Sequence, residues 1–196
     1  MELRPFALAL TLTLTLALLV GGCASASSVA TQVPATPLVA TAGTTRDVRD
    51  VVASAPLTVL IFFSRDCHCL DQHDARIREL YEAYHPRGVQ VVMVDPEVRA
   101  SPDIDAAEAA RRGYVFPILI DPKAHLADAL GAEYATYSVI VDAEGRIRYR
   151  GGFDSDKTHL RESATPYVRD ALDDLLAGRP PRLAEAKTLG CALEKW

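Results

Sequence analysis

The sequence predicts an α/β domain with a mostly parallel central sheet, a C-terminal β-hairpin and helices on both faces. Three observations carry this. Two continuous apolar runs, LTVLIFF at 57–63 and VQVVMVD at 89–95, are rich in β-formers and suit strands covered on both faces. Between and after them, apolar residues recur at helical spacing. Prolines and glycines stand where those helices would begin and end.

Taken in order, the run at 57–63 is the first strand. Leu70, Ile77, Leu80, Tyr81 and Tyr84 then form one face of a helix, with Asp74 and Arg78 as an i,i+4 pair on its polar side, and Gly88 stops it. Residues 89–95 are the second strand. Ser101 and Pro102 read as a cap and first helical position, and the alanine-rich helix they open closes at Gly113. Residues 116–120 form a short strand. Asp121 and Pro122 repeat the cap-plus-proline signal for a helix ending at Gly131. Residues 138–142 and 146–150, joined by DAEG, read as a hairpin. Thr165 and Pro166 open a last helix, whose stripe is Val168, Ala171, Leu172, Leu175 and Leu176 and whose end is Gly178.

The 196-residue chain is 49% hydrophobic and 24% charged, a globular composition. Its net charge of −5 argues against a nucleic-acid partner, because phosphate binding needs a basic surface. The N-terminus reads separately. Arg4 precedes an apolar stretch, FALALTLTLTLALLV, which runs into GGC at Cys23. This is a signal-peptide arrangement. It resembles the lipobox of bacterial lipoproteins, in which the cysteine is lipidated after cleavage. Residues 1–22 are therefore expected to be a lipoprotein signal, with Cys23 the lipid anchor. The chain would then sit on the cell envelope facing the periplasm, with Ala24 after the cysteine favouring the outer membrane. Small, polar, proline-dotted residues at 23–45 are expected to be a flexible tether. The domain would span 46–178, and 179–196 would be a tail carrying Cys191.

The chemistry lies in FFSRDCHCL, where the first strand meets the first long helix. In open sheets, reactive groups collect at strand C-terminal ends. A helix start offers unpaired N–H groups and positive dipole potential, which favour a thiolate. Asp66 opposes this beside Cys67, while Arg65 and a charged His68 assist it. Residues i and i+2 reach disulfide distance only in a small strained ring, which is easy to reduce.

LTVLIFFSRDCHC, the helix after it and RGVQVVMVDPE resemble the thioredoxin-like fold superfamily. The nearest likeness is to the redoxin branch with alkyl hydroperoxide reductase and thiol-specific antioxidant domains. VFPILIDPKAHLADALGA, YSVIVDAEGRIRYRG and PYVRDALDDLLAGRP with a late GC extend the likeness. It implies a thioredoxin-like three-layer sandwich and a thiol–disulfide oxidoreductase, with possible antioxidant, peroxide-reducing activity. Cys67 matches the exposed first cysteine and would be the nucleophile, with Cys69 or Cys191 resolving the product. The chain departs from the family at three points. Leu70 stands where CxxC has its second cysteine. The peroxide-reducing pattern PxxxTxxC has Leu60 and Ser64 at its proline and threonine. No proline occurs at 135–137, where thioredoxins carry a cis-proline.

The expected partners are a protein thiol or disulfide, an electron donor or acceptor protein, and the membrane through Cys23. No organic cofactor is expected, because no G-x-G-x-x-G follows a strand and no P-loop occurs. The alternative is a copper- or zinc-binding metallochaperone of the same fold. Its ligands would be Cys67, Cys69 and His73, the last at i+4 from Cys69.

Overall fold

The computed structural model describes residue 1 and residues 30–196. The expected signal segment, Cys23 and the first part of the tether lie outside the described residues. No helix among the described residues is long and apolar enough to cross a membrane.

The three strands expected at the centre are present: β3 (Leu57–Phe62), β4 (Val89–Asp95) and β5 (Ile118–Ile120). They pair in parallel, β3 with β4 and β4 with β5. Every residue of β3 is buried, as its unbroken apolar run requires of a strand covered on both faces. The expected hairpin, β6 (Tyr137–Asp142) and β7 (Ile147–Gly152), joins antiparallel to the other side of β3. The helices between them are α2 (His68–Tyr84), α3 (Pro102–Arg112), α4 (His125–Leu130) and α5 (Tyr167–Leu176). The ends of α3 follow the sequence signals. Ser101 Oγ accepts from the Ile104 N–H at 3.4 Å, and Gly113 closes α3 at φ 67°. The helix expected from Asp121 and Pro122 begins as α4 only at His125, because Lys123 and Ala124 stand at positive φ and break it from the first turn.

The expected tether is corrected. β1 (Pro37–Ala40) lies within it and β2 (Thr45–Asp47) starts at its last residue, followed by a short helix, α1 (Val48–Val52). β1 pairs antiparallel with β5 and with β2, so the sheet order is β2-β1-β5-β4-β3-β6-β7. The sheet is therefore mixed, parallel at its centre and antiparallel towards both edges. Val33 and Leu38 are buried, which anchors this segment to the core. Strands of three and four residues are too short to show a hydrophobic period, and Pro34 and Pro37 give the segment a loop's composition.

The tail folds back. Residues 184–186 run beside β7, with Arg150 N–H donating to Ala184 and Ala186 N–H donating to Arg150. Strand β7 is thus covered where it would otherwise present an open edge. Further on, Ala135 N–H donates to the Cys191 carbonyl at 2.9 Å and Leu193 N–H to the Glu133 carbonyl at 3.0 Å. Lys195 Nζ bridges Asp128 and Glu133 at 2.8 Å each.

Candidate functional site

Cys67 is the N-cap of α2, where its sulfur accepts from the Leu70 N–H at 3.4 Å. It occupies the place an Asp, Ser or Thr oxygen usually takes. Cys69 stands in the first turn, and the returning tail sets Cys191 over both. The three sulfurs all lie within 4.8 Å of one another, and Cys69 Sγ is 3.1 Å from Cys191 Sγ. No disulfide is formed: all three thiols are free. The structure thus brings together Cys67, the expected nucleophile, and Cys69 and Cys191, the two candidate resolving thiols.

The expected accessibility of Cys67 does not. Cys67 and Cys69 are each 1% exposed, and the partly exposed sulfur is that of Cys191. Burial, assisted by the neighbouring Cys191, pushes the Cys67 thiol up to about 12. Burial likewise raises Cys69. Burial opposes ionisation of Cys191 too, but hydrogen bonds from Cys67 and Cys69 and the charge of Lys157 outweigh it, so Cys191 is lowered. Of the three thiols, Cys191 is therefore the one that ionises most readily. The physical reason is the tail, which shields the helix start and takes the outward position for itself.

The charges flanking Cys67 neutralise each other. Arg65 Nη2 meets Asp66 Oδ2 at 3.0 Å, so neither acts alone on the sulfur, and His68 is exposed. His73 is not a companion of the thiols but a brace behind them. Its Nδ1 lies 2.7 Å from the Cys69 carbonyl and its Nε2 3.1 Å from Asp154 Oδ1. Both partners are acceptors, so both ring nitrogens carry protons and neither has a lone pair for a metal. Burial works against the charged ring, but the bonds to Asp154 and Cys69 prevail and raise its pKa. The expected metal set of Cys67, Cys69 and His73 is thus not brought together.

Three supporting features escaped the sequence reading. Asp154 also receives Arg76 at 2.6 Å, and Arg76 reaches Asp156 at 3.1 Å, which fixes the loop that carries Lys157. Thr136 stands at φ 70°, a strained conformation for a β-branched residue, beside the backbone that holds Cys191. Asp105 is buried beside Asp95 at the end of β4, and neither of its carboxylate oxygens has a hydrogen-bond partner. Asp154 and Asp156 had a signal in GFDSD, two acids amid small and aromatic residues, but nothing in the spacing ties them to His73.

A mixed sheet with a buried central strand, and cysteines where that strand gives way to a helix N-terminus, define a thioredoxin-like protein. The Redoxin family model matches residues 28–166, and the chain belongs to that family, which places it among oxidoreductases in the general sense. The matched span begins before β1, in keeping with a domain that starts ahead of residue 46. No curated protein matches the chain. Among solved structures, an uncharacterized conserved protein from Geobacillus kaustophilus is 28% identical. The match covers 84% of this chain and 90% of that one, with a TM-score of 0.75. A hypothetical protein from Sinorhizobium meliloti is 22% identical over 86% of this chain and 95% of that one, with a TM-score of 0.76. The thioredoxin domain of a thiol-disulfide oxidoreductase from Bacteroides vulgatus is 18% identical over 63% and 89%, with a TM-score of 0.51. The last two share the fold.

Proposed function

We propose that the chain is a thiol–disulfide oxidoreductase whose working pair is Cys191 and Cys69. The observation that carries this is the 3.1 Å approach of their sulfurs, one partly exposed and the other buried at a helix start. The Cys191 thiolate attacks a disulfide of a partner, forming a mixed disulfide and releasing one partner sulfur as thiolate. Cys69 then gives its proton to solvent or to that leaving thiolate and attacks Cys191 Sγ. The second partner sulfur leaves, and a Cys69–Cys191 disulfide remains. The partner has gained two electrons and this chain has lost them. A dithiol donor protein returns them by the reverse exchange. Cys67, first expected as nucleophile, serves here as a third thiol and helix cap. Exchange is favoured over peroxide reduction because Cys67, the sulfur in the peroxide-reducing position, is buried and protonated.

The setting belongs to the same proposal. The apolar segment ending at Cys23 supports a lipid tether on the periplasmic side of the envelope, where disulfides persist. A Cys23→Ser chain is then expected in the soluble rather than the membrane fraction.

Turnover of a protein disulfide by single cysteine variants tests the assignment. Cys191→Ser and Cys69→Ser are expected to lose about 100-fold or more, and Cys67→Ser to stay within about tenfold of the parent. Undiminished turnover in Cys191→Ser would remove this chain's proposed nucleophile.

A further inference from the structure

In their reduced state the same three sulfurs have the form of a metal site. We infer that Cys67, Cys69 and Cys191 bind one soft monovalent metal ion, Cu(I), as a three-sulfur centre. The inference uses the sulfurs of the proposed exchange reaction but does not need that reaction to occur.

The geometry carries it. Three ligands at a metal–sulfur distance of about 2.3 Å, spread in a plane around the ion, lie about 4 Å apart. The three sulfurs here lie within 4.8 Å of one another, with the shortest pair at 3.1 Å. The shortest pair must part by about 1 Å to reach that spacing, and all three are already gathered within 4.8 Å. The donor set decides the metal. All three atoms are sulfur, and thiolates favour Cu(I), which three of them satisfy, whereas Zn(II) would need a fourth ligand such as water. Among the described residues no fourth His, Cys, Asp or Glu joins the group. His73, the nearby candidate, spends both ring nitrogens on Cys69 and Asp154.

The surroundings suit an anionic thiolate complex. The Leu70 N–H points at Cys67 Sγ from the first turn of the 17-residue helix α2. Lys157 lies close enough to act electrostatically on both Cys69 and Cys191. Cys67 and Cys69 are buried and Cys191 is partly exposed, so an ion has a way in from one side and is then shielded. Each sulfur that ligates gives up its proton to solvent. A Cys69–Cys191 disulfide removes two of the three ligands, so metal binding and oxidation exclude each other.

The test uses the full chain carrying Cys23→Ser, which leaves only these three cysteines. Reduced and kept anaerobic, it is titrated with Cu(I) against a chromogenic Cu(I) chelator, and copper X-ray absorption is recorded on the loaded protein. One Cu(I) per chain with three sulfur neighbours at about 2.3 Å is expected. Cys191→Ser should drop to two sulfurs and weaken binding about 10-fold or more, while His73→Gln keeps three. Two sulfurs in the parent, a nitrogen neighbour, no stoichiometric binding, or preference for Zn(II) would each overturn the inference. Disulfide turnover measured without metal reports separately on the exchange reaction.

Discussion

At the scale of single residues, His73 shows how one side chain holds a site it does not enter. Its ring ties the carbonyl of Cys69 to Asp154, 81 residues away. His73→Ala removes two hydrogen bonds to a buried group, one of them to a carboxylate. Urea unfolding should show a loss of about 2 kcal/mol, with the three sulfurs still present and reactive. A variant as stable as the parent would show that this brace is dispensable. The sequence offered His73 as a ligand because i+4 spacing from a cysteine is all that spacing can report. What decides its role is Asp154, and a partner so distant in the chain leaves no local pattern. Cys67 and Cys69 were legible because they stand at a strand–helix junction. Their burial was not, because it depends on where residues 184–193 come to rest.

At the scale of elements, the tail determines which sulfur faces outward. It passes so close to the hairpin that glycine is required. A Cβ on Gly151 would strike the Ala186 backbone, and one on Gly190 would strike the Ala135 carbonyl oxygen. Gly190→Ala should therefore lift Cys191 from Cys69 at a cost of about 1–3 kcal/mol to the docked tail. Cysteine alkylation should then reach Cys67 and Cys69 in the folded protein, where the parent protects them. If both stay protected, the tail is not their cover. Long elements followed directly from the sequence: the periodic face of α2 and the capped ends of α3 could be read residue by residue. Elements made by pairing rather than by pattern could not. β1 and β2 are four and three residues long and exist because β5 offers an edge.

At the scale of the whole molecule, buried charge sets how stability follows pH. Asp142, Asp154, Asp156 and Asp174 all lie below the usual carboxylate range. Burial opposes this in all four, and in each, bonds from arginines, a histidine or backbone N–H groups prevail. For such groups the unfolded chain binds more protons, so their contribution is present above about pH 4 and is lost as pH falls towards about 2. Asp95 and Asp105 run the other way. Burial raises both; the neighbouring Asp105 pushes Asp95 further up, whereas Asp95 pulls Asp105 down against its burial. The folded state then holds the extra proton, so this pair's contribution is full below about pH 4 and is lost as pH rises through about 6 and about 8. His73, also raised, adds to the decline above about pH 6.5. Urea midpoints from pH 5 to 9 should fall in the parent and fall less steeply in Asp105→Asn, and identical slopes would show that the pair carries no proton. These balances hold the scaffold, and the scaffold brings residue 191 to residue 69. The most direct measurement is a disulfide map of the mildly oxidised protein by peptide mass spectrometry. The account predicts a Cys69–Cys191 link with Cys67 free, and a Cys67–Cys69 link with Cys191 free would contradict it.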